Sequence, residues 1–139
     1  MFELHPQLAQ DCLPLGRLPL SRVLLMNDAT YPWFILVPER DGVRELFELD
    51  EADRRALWEE SALLSRALTQ AFAPDKLNVA ALGNQVPQLH VHHIVRYRHD
   101  PAWPAPVWGK LPAKPYFGAE AAKLMARMRP LLGATLQQA

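Results

Sequence analysis

The sequence predicts an α+β fold built on a mainly antiparallel, five-stranded meander sheet, with one long inserted helix and a second helix at the C-terminus. Three observations predict it. Short apolar runs recur between Pro, Gly, Asn and Asp clusters, the pattern of strands and turns. One stretch from residue 50 to residue 72 carries apolar residues at helical spacing. Residues 88–96 place three of the five histidines in four positions of an otherwise apolar run, where a strand's period of two sorts the side chains onto two faces.

In chain order, Pro6, Pro14, Pro19 and Gly16 break the first stretch, which allows at most a short edge strand, where proline is tolerated. Residues 22–26 and 33–37 form strands, separated by the turn-rich loop 27–32. The second is apolar throughout, as expected of a strand buried on both faces. Asp41-Gly42 supplies a tight turn. Asp50 is a helix N-cap, with Asp53 three residues on, and Ala73-Pro74-Asp75 ends the helix. Leu57, Leu64, Leu68 and Ala71 form one apolar stripe along it, widened by Leu63, Ala67 and Phe72, so the helix covers a sheet. Residues 76–82 and 88–96 form a hairpin across the turn 83–87, which brings Asn78 near the histidines. Five prolines between residues 100 and 115 require a packed loop there. Residues 119–129 form the last helix, with Pro130 at its end and Gly133 beyond.

At 139 residues the chain fits one domain, 1–139, long enough to bury about two-thirds of its unfolded surface. Fifteen basic and fifteen acidic residues balance, so no global field draws in nucleic acid or an anionic membrane. The lone Cys12 cannot form an internal disulfide. The first residues lack the basic segment and apolar run of a signal peptide, and no stretch reaches the roughly 20 apolar residues of a membrane helix. A soluble cytoplasmic protein is expected.

On a strand over residues 88–96, Gln88, His90, His92, Ile94 and Arg96 share one face, while Leu89, Val91, His93 and Val95 take the other. His90 and His92 are therefore the candidate catalytic pair, His93 packs, and Arg96 is expected at the surface. His-x-His on a strand could also supply two zinc ligands, but His93 points away and no carboxylate lies in the strand, so no metal or cofactor is expected.

The string Gln88-Leu89-His90-Val91-His92-His93-Ile94 resembles the signature of the histidine triad family of nucleotide hydrolases and transferases, His-x-His-x-His followed by two apolar residues. The second and third positions match; the first is Gln88. Upstream, Gly83, Asn84 and Gln85 resemble the family's Gly-Gln pair and small hydroxylic residue. The likeness covers most of the chain and implies a HIT-like fold. It also implies that His90 attacks the α-phosphorus of a nucleotide, its ring oriented by the backbone carbonyl of residue 88, and that His92 donates to a phosphate oxygen or leaving group.

By the same resemblance, Gly83, Asn84, Gln85 and Gln88 bind phosphate, and Asn27, which would meet the ribose, binds the nucleotide with Trp33 and Asn78. Trp33 stands where the family usually has a histidine facing the phosphates. Trp103 and Trp108 resemble a segment that reaches toward the partner in a homodimer. The function implied is hydrolysis of nucleoside phosphoramidates or dinucleoside polyphosphates through a nucleotidyl-histidine. The alternative is nucleotide binding with little or no catalysis, motivated by Gln88 and Trp33. A transferase is less favoured, because the uridylyltransferase branch has glutamine at the third triad position and this chain keeps His92.

Overall fold

The computed structural model describes residues 1–138. Its elements are α1 (Pro6–Asp11), β1 (Cys12–Arg17), β2 (Ser21–Met26), β3 (Trp33–Pro38), α2 (Glu51–Phe72), β4 (Lys76–Ala80), β5 (Val91–Arg96) and α3 (Glu120–Leu132). All strand pairs are antiparallel, in the order β1-β2-β3-β5-β4. The five-stranded antiparallel sheet is thus as expected, with one refinement to the meander: β5 inserts between β3 and β4. This makes the histidine strand an inner one, buried at every position.

Helix α2 forms where the stripe placed it. The Asp50 carboxylate caps it by accepting from the Asp53 N–H, and Ala73 ends it in the left-handed conformation with φ 45°. Leu57, Leu64, Leu68 and Ala71 are all buried against the sheet. Glu60 interrupts the stripe usefully: one of its oxygens accepts from the Leu20 N–H at 2.7 Å, tying the helix to the β1–β2 turn. The two helices share one core with Leu15, Phe34, Val91 and Val95. On the opposite face Trp33, Ile35, Val37 and Ile94 pack against Leu8 of α1 and Ala102 and Val107 of the proline-rich loop. That loop is packed, as its composition requires.

Residues 6–11 depart from the expected pattern, forming a helix where at most an edge strand was anticipated. Pro6 fits the first turn because its fixed φ is already helical, and the His5 side chain accepts from the Gln7 N–H. β1 follows as the edge strand, with a register shift between Pro14 and Gly16. Gly16 is required there, since a Cβ would collide with the Gln137 carbonyl oxygen. Three ends also differ from expectation: β4 stops at Ala80 rather than at residue 82, residues 88–90 lead into β5 without joining it, and α3 continues through Pro130 to Leu132. Among the described residues, no helix is long and apolar enough to cross a membrane.

Candidate active site

The alternation along β5 divides its two histidines. In register, His92 lies opposite Ile35 and Ile94 opposite Trp33, on the face away from α2. His90 stands one residue before the strand and joins His92 in a cleft of about 370 Å³, whose walls include Trp33, Gly83, Asn84, Gln85 and Trp108. The two imidazoles lie 4.9 Å apart, edge to face.

Hydrogen-bond partners set the proton of each ring. The Gln88 carbonyl lies 2.7 Å from His90 Nδ1; a carbonyl can only accept, so Nδ1 carries the hydrogen and the neutral ring keeps its lone pair on Nε2. His92 is the reverse. The indole Nε1 of Trp33 donates to His92 Nδ1 at 3.0 Å, and indole has no other role than donor. The proton of neutral His92 therefore sits on Nε2. Burial, reinforced by the charges of His90 and then His93, pushes its pKa down to about 3. Neither Nε2 has a hydrogen-bond partner among the described residues, and neither is sealed from solvent, so one ring offers the cleft a lone pair and the other a proton.

His93 points to the other side. Its Nδ1 donates to the Val91 carbonyl at 3.1 Å, which leaves Nε2 to accept the Ser61 hydroxyl of α2 at 2.7 Å. Burial lowers its pKa to about 4. It is a packing residue, as its face predicts.

The profile of the HIT domain matches residues 8–99. The chain belongs to the HIT domain family. It is similar to the crystal structure of a histidine triad protein from Marinobacter aquaeolei, at 55% identity over 95% of this chain and 96% of that one, with a TM-score of 0.93. A histidine triad protein from Bradyrhizobium japonicum is 44% identical over 94% of this chain and 98% of that one, with a TM-score of 0.92. A hypothetical histidine triad nucleotide-binding protein from Sulfolobus tokodaii shares the fold, at 17% identity over 87% of this chain and 83% of that one, with a TM-score of 0.68. No curated protein matches the chain.

Within this HIT domain, His90, His92, Gly83, Asn84, Gln85 and Trp33 meet in one cleft. Gly83 turns the chain at φ 81°, a conformation that favours glycine. Asn27 lies in an adjoining cavity bounded by Trp33 and Trp108, and its side-chain oxygen accepts from the Tyr116 N–H at 2.9 Å.

Two residues expected at the site point elsewhere. The Gln88 side chain clamps the N-terminal arm: its oxygen accepts from the His5 N–H at 2.8 Å, and its nitrogen donates to the Glu3 carbonyl at 2.9 Å. Only its backbone serves the site. Asn78 turns its oxygen to Arg96 Nη1 at 2.8 Å, because Arg96 is buried rather than at the surface and its guanidinium needs acceptors.

Trp108 packs on His92 at 5.1 Å and on Trp33 at 5.8 Å, while Trp103 lies over Arg96. Both make these contacts within their own chain. Sequence reasoning did not find Gln7, Leu8 and Asp11 of α1, which line the cleft; the Pro6 start of that helix was the available signal. Among the described residues no group of three or more His, Cys, Asp or Glu is placed to hold a metal ion.

Proposed function

We propose that this HIT protein is a nucleotide hydrolase that cleaves at the α-phosphate of nucleoside phosphoramidates or dinucleoside polyphosphates. The observation that carries this reading is the pair of opposed tautomers in one cleft, a lone pair on His90 Nε2 beside a hydrogen on His92 Nε2. A neutral imidazole oriented through its other nitrogen is a competent nucleophile. His90 attacks the phosphorus and forms a nucleotidyl-histidine, which water hydrolyses. His92 donates to a non-bridging oxygen as charge develops, aided by Asn84, Gln85 and the backbone around Gly83. The nucleoside lies along Trp33, Trp108 and Asn27, whose cavity adjoins the histidines.

Incubation with adenosine phosphoramidate or a diadenosine polyphosphate is expected to release AMP. His90→Ala is expected to lower the rate by roughly 10³-fold or more, as loss of a nucleophile does; undiminished activity in that variant contradicts the assignment.

The second reading is nucleotide binding with little catalysis. It is favoured by Gln88, which stands where the family's first histidine would and whose amide holds the N-terminal arm. It predicts that AMP raises the melting temperature while no substrate is consumed. We also propose a cytoplasmic homodimer. Family membership supports assembly, as do the exposed apolar side chains of Phe47, Trp58, Val79 and Leu82.

A further inference from the structure

We infer that Trp33 is a positioning residue that locks His92 in its Nε2–H tautomer, and that the cleft is thereby built for leaving groups that depart as anions, namely nucleoside polyphosphates, in preference to amines. The inference rests on the hydrolase reading and narrows its substrate class.

The lock follows from what an indole can do. Its N–H is a donor and never an acceptor. At 3.0 Å it occupies the His92 Nδ1 lone pair, and a proton on that nitrogen would set two N–H groups head to head. Neither ring has room to swing away: Trp33 is 6% exposed and His92 5% exposed, with Trp108 edge-on to both. The register of β3 on β5 fixes the pair, since Trp33 lies opposite Ile94 and Ile35 opposite His92.

The charged and titratable surroundings of His92 do not undo this. His90 is its ring neighbour, and His93 follows it on the opposite face, hydrogen-bonded to Val91 and Ser61. The loop contributes Trp108, and β3 contributes Trp33, both uncharged. From α1 the carboxylate on the cleft wall is Asp11, whose oxygens accept from the Gln7 amide at 2.9 and 3.0 Å. Among the described residues no lysine or arginine lines this cleft. An imidazolium on His92 would therefore have to break the Trp33 bond.

The consequence is chemical. When His90 Nε2 forms its bond to the α-phosphorus of an anhydride, the P–O bond breaks and its electron pair leaves on the oxygen of the departing phosphate. That oxygen needs no proton. His90 keeps its Nδ1 hydrogen on the Gln88 carbonyl and becomes a phosphorylated imidazolium. Water then attacks phosphorus, the N–P pair returns to Nε2, and the proton of water passes to solvent. Cleaving a P–N bond in the same way expels an amine that must take up a proton as it leaves. Neutral His92 could supply one only by becoming imidazolate, and the imidazolium that could supply it readily is the form Trp33 opposes.

Three measurements test the inference. Nitrogen NMR of the histidine-labelled wild type is expected to show His92 Nδ1 unprotonated and Nε2 protonated from pH 8 to pH 5; a protonated Nδ1 overturns the lock. The ratio of kcat/KM for a diadenosine polyphosphate over adenosine phosphoramidate is expected to be about 100 or more, the order that general-acid assistance supplies; a ratio at or below one overturns the leaving-group preference. In Trp33→Phe, which keeps an aromatic ring and removes the donor, the His92 imidazolium is expected to form more readily as pH falls, although burial still holds its pKa below the ordinary value. The ratio is then expected to fall at least about tenfold through a gain on the phosphoramidate that grows toward acid pH. An unchanged ratio overturns the role of Trp33. Turnover of neither substrate by wild type overturns the hydrolase reading and the leaving-group preference with it, while the NMR result still decides the lock.

Discussion

At the scale of single residues, adjacent strand positions hold two imidazoles neutral by burial, His92 at a pKa of about 3 and His93 at about 4. In the unfolded chain both titrate near the ordinary value of about 6.5. Between that value and about 4 the unfolded state binds more protons than the native state, so stability is full above pH 7 and declines as pH falls. Each ring removes about 1.4 kcal/mol per pH unit in that window. Urea denaturation is expected to show a lower midpoint at pH 5.3 than at pH 7, conditions under which most carboxylates remain ionised. An unchanged midpoint contradicts the neutral pair. The face of each histidine was legible in the sequence because strand alternation is local. The proton positions were not, because each depends on what stands opposite the ring.

At the scale of elements, the end of β5 is anchored by Arg96, which is 2% exposed. Its Nε and Nη2 donate to Asp100 at 2.8 and 3.0 Å, its Nη1 donates to Asn78, and the rings of Tyr31 and Trp103 flank it. Burial alone would raise the Asp100 carboxyl; the Arg96 guanidinium and the N–H groups of Tyr97, Trp103 and Ala102 outweigh it and hold the pKa at about 2. Arg96→Met is expected to cost about 3–5 kcal/mol in chemical denaturation, because Asp100 is left buried without its cation; a loss below about 1 kcal/mol contradicts this role. Gln88→Ala is expected to speed hydrogen exchange at the His5 amide while the amides of β5 remain protected. Equal exchange at His5 would show that the clamp does not hold the arm. The long helix α2 was legible from its cap and from a stripe sustained over about four turns, both set by spacings of a few residues. The short helix α1 was not, since six residues give too little periodicity to outweigh the prolines around them.

At the scale of the whole molecule, several large apolar side chains stand open on the chain, among them Phe47 and Trp58 at more than three-quarters exposed and Val79 and Leu82 at about half. Burying such groups against a second copy would stabilise both by roughly 25 cal/mol per Å² of apolar surface removed from water. Light scattering at micromolar concentration is expected to give twice the 15.8 kDa of one chain. A mass of one chain contradicts the homodimer. The tryptophan-rich loop, from which assembly was also expected, closes over its own sheet and forms part of the cleft wall. Its composition showed that it packs, and its destination depended on which surface the folded sheet left uncovered.

The sequence by itself determined the α+β class, the positions of α2 and the strands, the separation of His92 from His93, and the resemblance that family membership bears out. These rest on periodicity and turn chemistry, which act over a few residues. Only the tertiary structure decided that β5 lies between β3 and β4, that Gln88 clamps the arm, and that Trp33 places the proton of His92. The donors and acceptors in those contacts lie 83 and 59 positions apart in the chain, and hydrogen bonds across such distances are chosen by packing rather than by local pattern.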